Sequence, residues 1–294
     1  VKRNVLRALF AVGWGVLLLA AANCHGIEKE SGRLHKPAGE ETRMSAQAEL
    51  ERLLAEGDFR AVEAAAAMGD AAAPALRKGA GMPGYRSRQV AMACAGKIGG
   101  DAAGEILALG LKDGNVNVRV AAAGQLSVNP PESAKDAVLS TLVRSTETDV
   151  REMLAYSAGY FPGERTIAIL RSVASGKEVL ASNARLALAR LGDPAGRDAV
   201  LNDLASSDPL VRYDTLGGLR YVNDPSLADR VKPLLLDTKE AQAIGPGGGF
   251  RYRRVCDQAA DTLVYLLKLK LPFPTDGERI YTEEQLLHVR DLTR

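Results

Sequence analysis

Val118-Arg119-Val120-Ala121-Ala122-Ala123-Gly124-Gln125-Leu126 is a stretch that this chain writes again and again. Its pattern returns at 150–158, 180–188, 211–219 and 255–263, with an earlier, weaker copy at 87–95. The copies open at 87, 118, 150, 180, 211 and 255, in steps of 31, 32, 30, 31 and 44. A near-fixed period in this range marks a stacked array of helical units.

Offsets are counted from the residue after each opener: Arg88, Arg119, Arg151, Ala181, Arg212 and Cys256. Offset three reads Ala91, Ala122, Leu154, Ala184, Thr215 and Ala259, and offset seven reads Ala95, Leu126, Ala158, Leu188, Leu219 and Leu263. Offset ten adds Ile98, Asn129, Phe161, Leu191, Val222 and Leu266. At about 100° per residue these offsets share one helix face, which predicts burial against neighbouring helices. Arg185 falls on that face, with its stem expected on the core and its head in water. Further helical stretches at 102–112, 133–143, 195–205 and 227–236 make each unit a helix pair. Asp193-Pro194, Asp208-Pro209 and Asp224-Pro225 punctuate the pairs. Asp caps free N–H groups, and Pro at a first helical position has none to lose. Alternating Val, Ile and Thr runs are absent, so no strands are expected.

The runs from Asp208-Pro209-Leu210-Val211-Arg212 to Leu219, from Asp149-Val150-Arg151 to Ala158 and from Asn117-Val118-Arg119 to Leu126 resemble the short, alanine-rich HEAT repeat of bacteria. The resemblance covers roughly residues 48 to 270. It implies an all-α fold, a right-handed α-solenoid of about six to seven helix pairs with the second helices on the concave side. For function it implies mostly protein-binding scaffolds, with bilin lyases and a group of DNA glycosylases among similar helices. It also implies that Arg119, Arg151 and Arg212 form a structural ladder with the acids of the preceding turns, Asp113, Asp149 and Asp208.

The N-terminus reads as a targeting segment. Lys2, Arg3 and Arg7 precede an apolar run at 8–22, too short for an ordinary spanning helix of about 20 residues. Ala20-Ala21-Ala22 and then Cys24 resemble a bacterial lipoprotein signal, apart from Asn23 where a smaller residue is usual. Lipidation of Cys24 and ordinary cleavage after Ala22 both remain open. Residues 1–23 are thus expected to be a signal peptide, 24–47 a polar tether, 48–270 the solenoid and 271–294 a C-terminal cap whose final helix opens at Thr282-Glu283-Glu284. The expected location is the periplasm or cell envelope, with the membrane reached through a lipid on Cys24. Without residues 1–23 the net charge of +2 falls by three, to −1, so no basic nucleic-acid face is implied and no nucleic acid is expected as a partner. Cys94 and Cys256 stand in the first and last copies, too far apart for a disulfide, and are expected as separate buried thiols.

No catalytic constellation is legible. His25 and His35 lie in the tether and His288 near the C-terminus, and there is no Cys-x-x-Cys or Gly-x-Ser-x-Gly. No cofactor and no metal are expected. The run at 245–249 lacks the Lys-Ser/Thr of a phosphate loop and reads as an insertion in the last unit. Its continuation, Phe250-Arg251-Tyr252-Arg253-Arg254, offers rings and guanidinium groups for an anionic ligand. The stronger lead is offset nine: Lys97, Val128, Tyr160, Arg190, Tyr221 and Tyr265, with Tyr156, Tyr213 and Arg220 nearby. Tyr213 and Tyr221 are expected to flank a hollow over Gly217. Tyr and Arg are the residues enriched at binding hot spots. Of eight tyrosines only Tyr85 precedes residue 156, so the bias is to the C-terminal half. The reading is a non-enzymatic scaffold that holds a protein or peptide through Tyr156, Tyr160, Arg190, Tyr213, Arg220, Tyr221 and Tyr265 and through Phe250, Arg251, Tyr252 and Arg253. Tyrosines that merely fill gaps at unit junctions are an equally open reading. A lyase-like enzyme or a nucleic-acid-binding protein is the alternative function.

Overall fold

Residues 40–176, 178–244, 251–275 and 277–294 are described in the computed structural model. The expected leader, Cys24, the cleavage site, most of the tether, the 245–249 run and Phe250 lie outside the described residues.

The chain folds as a row of helix pairs. Helices α1 (Glu40–Glu56) and α2 (Ala61–Met68) start it. The pairs follow: α3 (Ala73–Ala80) with α4 (Tyr85–Ile98), α5 (Gly100–Gly110) with α6 (Val116–Leu126), and α7 (Lys135–Arg144) with α8 (Thr148–Ala158). Next come α9 (Glu164–Val173) with α10 (Val179–Arg190), and α11 (Pro194–Leu204) with α12 (Pro209–Val222). In the last unit α13 (Ala228–Val231), continued by a 3-10 turn at Lys232–Leu236, precedes α14 (Val255–Leu267). Helix α15 (Glu283–Leu292) packs on α14 and on that turn. The second helices α4, α6, α8, α10, α12 and α14 lie side by side, each against the next.

The period works as read. Every residue at offsets three and seven is buried, from Ala91 and Ala95 to Ala259 and Leu263, within one continuous apolar seam. Small residues set how close the helices come. A Cβ added at Gly218 would stand 2.5 Å from Leu186 Cδ1, so the absent side chain on α12 leaves the place that the Leu186 methyl of α10 fills. The caps also follow the sequence. The side chains of Asp193, Asp208 and Asp224 accept from Gly196 N, Leu210 N and Ser226 N, each at 2.9 Å. Thr282 and Gln285 form a reciprocal capping box on α15.

Several expectations need correction. Helix α1 begins at Glu40, inside the segment read as tether: 40–56 is rich in Glu, Ala, Gln and Leu, good helix formers, with acids at the favourable N-terminal end. Two strands do occur, β1 (Glu240–Ile244) and β2 (Arg251–Arg254), as an antiparallel hairpin inserted before α14. Their register pairs Gln242 with Arg253, Ala243 with Tyr252 and Ile244 with Arg251, with a bulge between Glu240 and Gln242. The arginine ladder is present in a different register. Arg88 meets Asp113 at 2.7 Å, Arg119 meets Glu147, and Arg212 meets Asp237 at 2.6 Å. Each side chain reaches forward to the acid of the next inter-helix turn, because the preceding turn offers a carbonyl instead: Asp113 O to Arg119 and Ser206 O to Arg212. Arg151 donates to Leu142 O at 3.1 Å. Arg185 does not end in water; it pairs with Asp203 at 2.9 Å.

Candidate functional site

The tyrosines and arginines of the C-terminal half divide into three groups. The first is a brace at the C-terminal ends of α8, α10 and α12. Tyr221 of α12 stacks on Tyr156 of α8, ring centroids 3.6 Å apart, and meets Tyr160 edge-on at 5.5 Å. The Tyr221 hydroxyl donates to Tyr156 O at 2.5 Å. Arg190 of α10 lies between, its guanidinium 4.3 Å from the Tyr160 ring centroid and 4.9 Å from that of Tyr221, and it donates to Tyr221 O. An arginine on a last-turn carbonyl satisfies a helix C-terminus.

Helices α8 and α12 are two units apart, about 16–20 Å in a flat row. A direct ring stack between them requires that their C-terminal ends converge. Gly159 makes this possible: a Cβ there would stand 1.8 Å from the Tyr221 hydroxyl and 3.0 Å from Ala187 Cα. Tyr221 is 5% exposed, and burial drives its phenol and that of Tyr156 well above their ordinary range. The expectation that Tyr221 presents itself to a partner is therefore corrected: it helps to hold three helices together, and Arg190, half-buried, is bonded into the same brace. Nor does Tyr221 flank a hollow with Tyr213; Gly217 is in ordinary contact with Gln258, 3.6 Å from its would-be Cβ.

The second group is a polar anchor under the hairpin. Arg253, only 1% exposed, pairs with Asp261 at 2.6 Å and donates to Tyr213 Oη and Gln258 Oε1, both at 3.1 Å. It also reaches Gly277 O and Arg279 O. Arg254 pairs with Asp257 at 2.8 Å and donates to Tyr281 O at 2.6 Å, while Tyr281 Oη donates to Asp261 Oδ1 at 2.5 Å. Arg253 with Asp261 and Arg254 with Asp257 each match a cation to a carboxylate, so neither pair brings net charge inside. The anchor ties β2, α14 and residues 277–281 into one body. Arg253 and Tyr213 thus leave the set of surface contacts as well. The signal in the sequence is the spacing of Asp257 and Asp261, four residues apart and so on one helix face.

The third group is open. Arg220, one residue before Tyr221, lays its guanidinium 5.0 Å from the centroid of Tyr265 on α14. Tyr265 is 40% exposed and Arg220 is exposed. Beside them an open hollow of about 660 Å³ is lined by Asn223, Pro225, Val264, Tyr265, Leu266 and Lys268. Arg251 and Tyr252 are exposed on the hairpin, apart from this group. Of the remaining offset-nine residues, Lys97 and Val128 are exposed and Tyr160 is half-buried within the brace. Cys94 and Cys256 are free and buried, and burial lifts their thiols to about 12 and about 11. Among the described residues no group of three His, Cys, Asp or Glu is placed to hold a metal, and no helix is long and apolar enough to cross a membrane.

No family model matches the chain, and no curated protein matches it. Solved structures do. A chain of the CpcE–CpcF complex of phycocyanin lyase from Nostoc is similar at a TM-score of 0.51 and 17% identity, over 91% of this chain and 100% of that one. YibA of E. coli is similar at 0.46 and 17% identity, over 88% and 98%. An engineered protein is similar at 0.40 and 19% identity, over 79% and 66%. At such identities the likeness bears on fold alone. The stacked helix pairs, the buried offsets and the Nostoc neighbour agree on it: this chain has the all-α, HEAT-like helical-repeat fold.

Proposed function

We propose that the chain is a non-enzymatic interaction scaffold that holds a protein or peptide segment along its second helices. The supporting observation is the convergence of α8, α10 and α12 at the aromatic brace. Helices whose ends are drawn together lie on the inner side of a bend, so the row curves with the second helices inside. Curved arrays bind extended ligands on such faces. The Nostoc neighbour comes from a complex of two lyase subunits, so a chain of this fold does meet a protein partner there. We place this scaffold outside the cytoplasm, with residues 1–23 as its leader and Cys24 as the candidate lipid anchor. Incorporation of labelled fatty acid that is lost in Cys24→Ala would support the anchor; incorporation that persists in the variant would remove it.

The groove is tested with a photo-reactive amino acid at two groups of exposed sites. Tyr265 on α14 and Val128, just past the end of α6, represent the second helices, and Leu109 and Val143 the first helices. The scaffold reading expects a discrete crosslinked partner from the first group in the native cell. Crosslinks from the second group alone, or from neither, would remove it. A lyase-like enzyme is the second reading, carried only by the fold likeness to phycocyanin lyase subunits. A change in phycocyanin absorbance on mixing with the purified chain would favour it.

A further inference from the structure

We propose that the hollow between α12 and α14 is a docking point for an acidic segment of a partner protein, a carboxylate side chain beside an apolar one. This rests on the scaffold reading and names the chemistry of what the scaffold holds. Three observations carry it.

First, its cations have no counter-charge. Of the other second-helix arginines, Arg88, Arg119, Arg185 and Arg212 pair with acids, and Arg86, Arg151 and Arg190 donate to backbone carbonyls. Arg220 and Lys268 are exposed and, among the described residues, stand in no ion pair. No acid lines the hollow. The nearest in sequence, Asp224, is committed to Arg197 and to Ser226 N and Oγ.

Second, the cation is already placed. The Arg220 guanidinium lies 5.0 Å from the centroid of the Tyr265 ring, a cation–π contact that restrains it where a carboxylate could take its N–H fork. Lys268 sits just past the end of α14 in the left-handed region, φ 52°, where its N–H caps the helix on Tyr265 O and Val264 O. Its ammonium adds a second point of attraction on the same rim.

Third, the hollow, which Tyr265 shares with the Arg220 contact and Lys268 lines directly, has an apolar part. Pro225, Val264 and Leu266 offer a place for a leucine- or phenylalanine-sized side chain.

The test uses the full chain and a fluorescein-labelled peptide, Glu-Glu-Leu-Glu-Phe-Glu, followed by anisotropy. A Lys-Lys-Leu-Lys-Phe-Lys peptide and an unlabelled oligothymidylate serve as comparators. We expect the acidic peptide to bind, with affinity falling as salt rises, and the basic peptide not to bind. Arg220→Ala should weaken binding about tenfold, the equivalent of one charge-assisted hydrogen-bonding group. Lys268→Gln should weaken it less, and both variants should keep the wild-type melting curve. Equal binding of the two peptides, undiminished binding by the Arg220→Ala/Lys268→Gln double variant, or displacement of the acidic peptide by the oligothymidylate would each overturn the proposal. The two readings fail separately. Crosslinks at Val128 without acidic-peptide binding would leave the groove and remove this hollow. Loss of both would remove the scaffold.

Discussion

Arg190 and Arg220 occupy the last turns of adjacent second helices, and each lies over a tyrosine, yet they have opposite fates. Arg190, half-buried, lies against Tyr160 and Tyr221 and is bonded to a backbone carbonyl; Arg220 is exposed and lies against one exposed ring. Arg253 repeats the bonded case, buried beside Tyr213 with Asp261 as counter-charge. Composition therefore does not tell a structural pair from a recognition pair. What tells them apart is whether the cation's donors are already taken inside the chain.

The comparison is broken most severely at the buried charges. Asp261→Ala leaves Arg253 without its carboxylate in the interior and should cost about 3–5 kcal/mol in urea unfolding. A loss of under about 1 kcal/mol would mean that water reaches the anchor. Tyr221→Ala should cost a similar amount, about 3–5 kcal/mol as for other large buried rings, whereas Tyr265→Ala should stay within about 0.5 kcal/mol of wild type. Equal losses at the two tyrosines would erase the distinction between brace and open pair.

Gly159→Ala probes the brace from the other side. Its new Cβ would overlap the Tyr221 hydroxyl, and about 1–3 kcal/mol should be lost to overpacking. Tyr221→Phe should recover part of that loss in the double variant. Alone, Tyr221→Phe should cost about 1 kcal/mol, the bond to Tyr156 O. It should also flatten the alkaline limb of stability. Unfolded tyrosines ionise near pH 10, while burial keeps Tyr156 and Tyr221 protonated beyond that. Their stabilising effect is thus complete below about pH 10 and lost as pH rises above it. Unfolding midpoints between pH 9 and 11 check both the sign and the flattening. The smallest effect is at the thiols. Burial raises Cys94 and Cys256, so neither should react with a thiol reagent at pH 8 in the folded chain, and both should react in urea. Rapid labelling of either in the native state would contradict the burial.

Much of the fold was written in the period. Offsets three and seven needed only helix geometry, and Asp-Pro turns needed only capping chemistry. The fate of offset nine was not legible. Lys97, Val128 and Tyr265 at that offset are exposed, while Tyr160, Arg190 and Tyr221 converge, because helix ends come together only where Gly159 and Gly218 admit them. A period states which residues are equivalent within their own helix; it carries no information on how each helix tilts against the next. The hairpin was hidden for a different reason. Its strands hold few β-branched residues, and their pairing is supported by the buried Arg253 network rather than by alternation. Lys268 carried no sequence signal at all, since only the left-handed turn after α14 brings it to the hollow.

The convergence of α8 and α12 is tested most directly by a double-mutant cycle on Tyr156→Leu and Tyr221→Leu, measured by urea unfolding. In a flat array residues 65 apart in sequence and two units apart in space do not touch, so their effects would add. The brace predicts a coupling of about 0.5–1.5 kcal/mol, as for other stacked rings. Additivity within about 0.3 kcal/mol would contradict it.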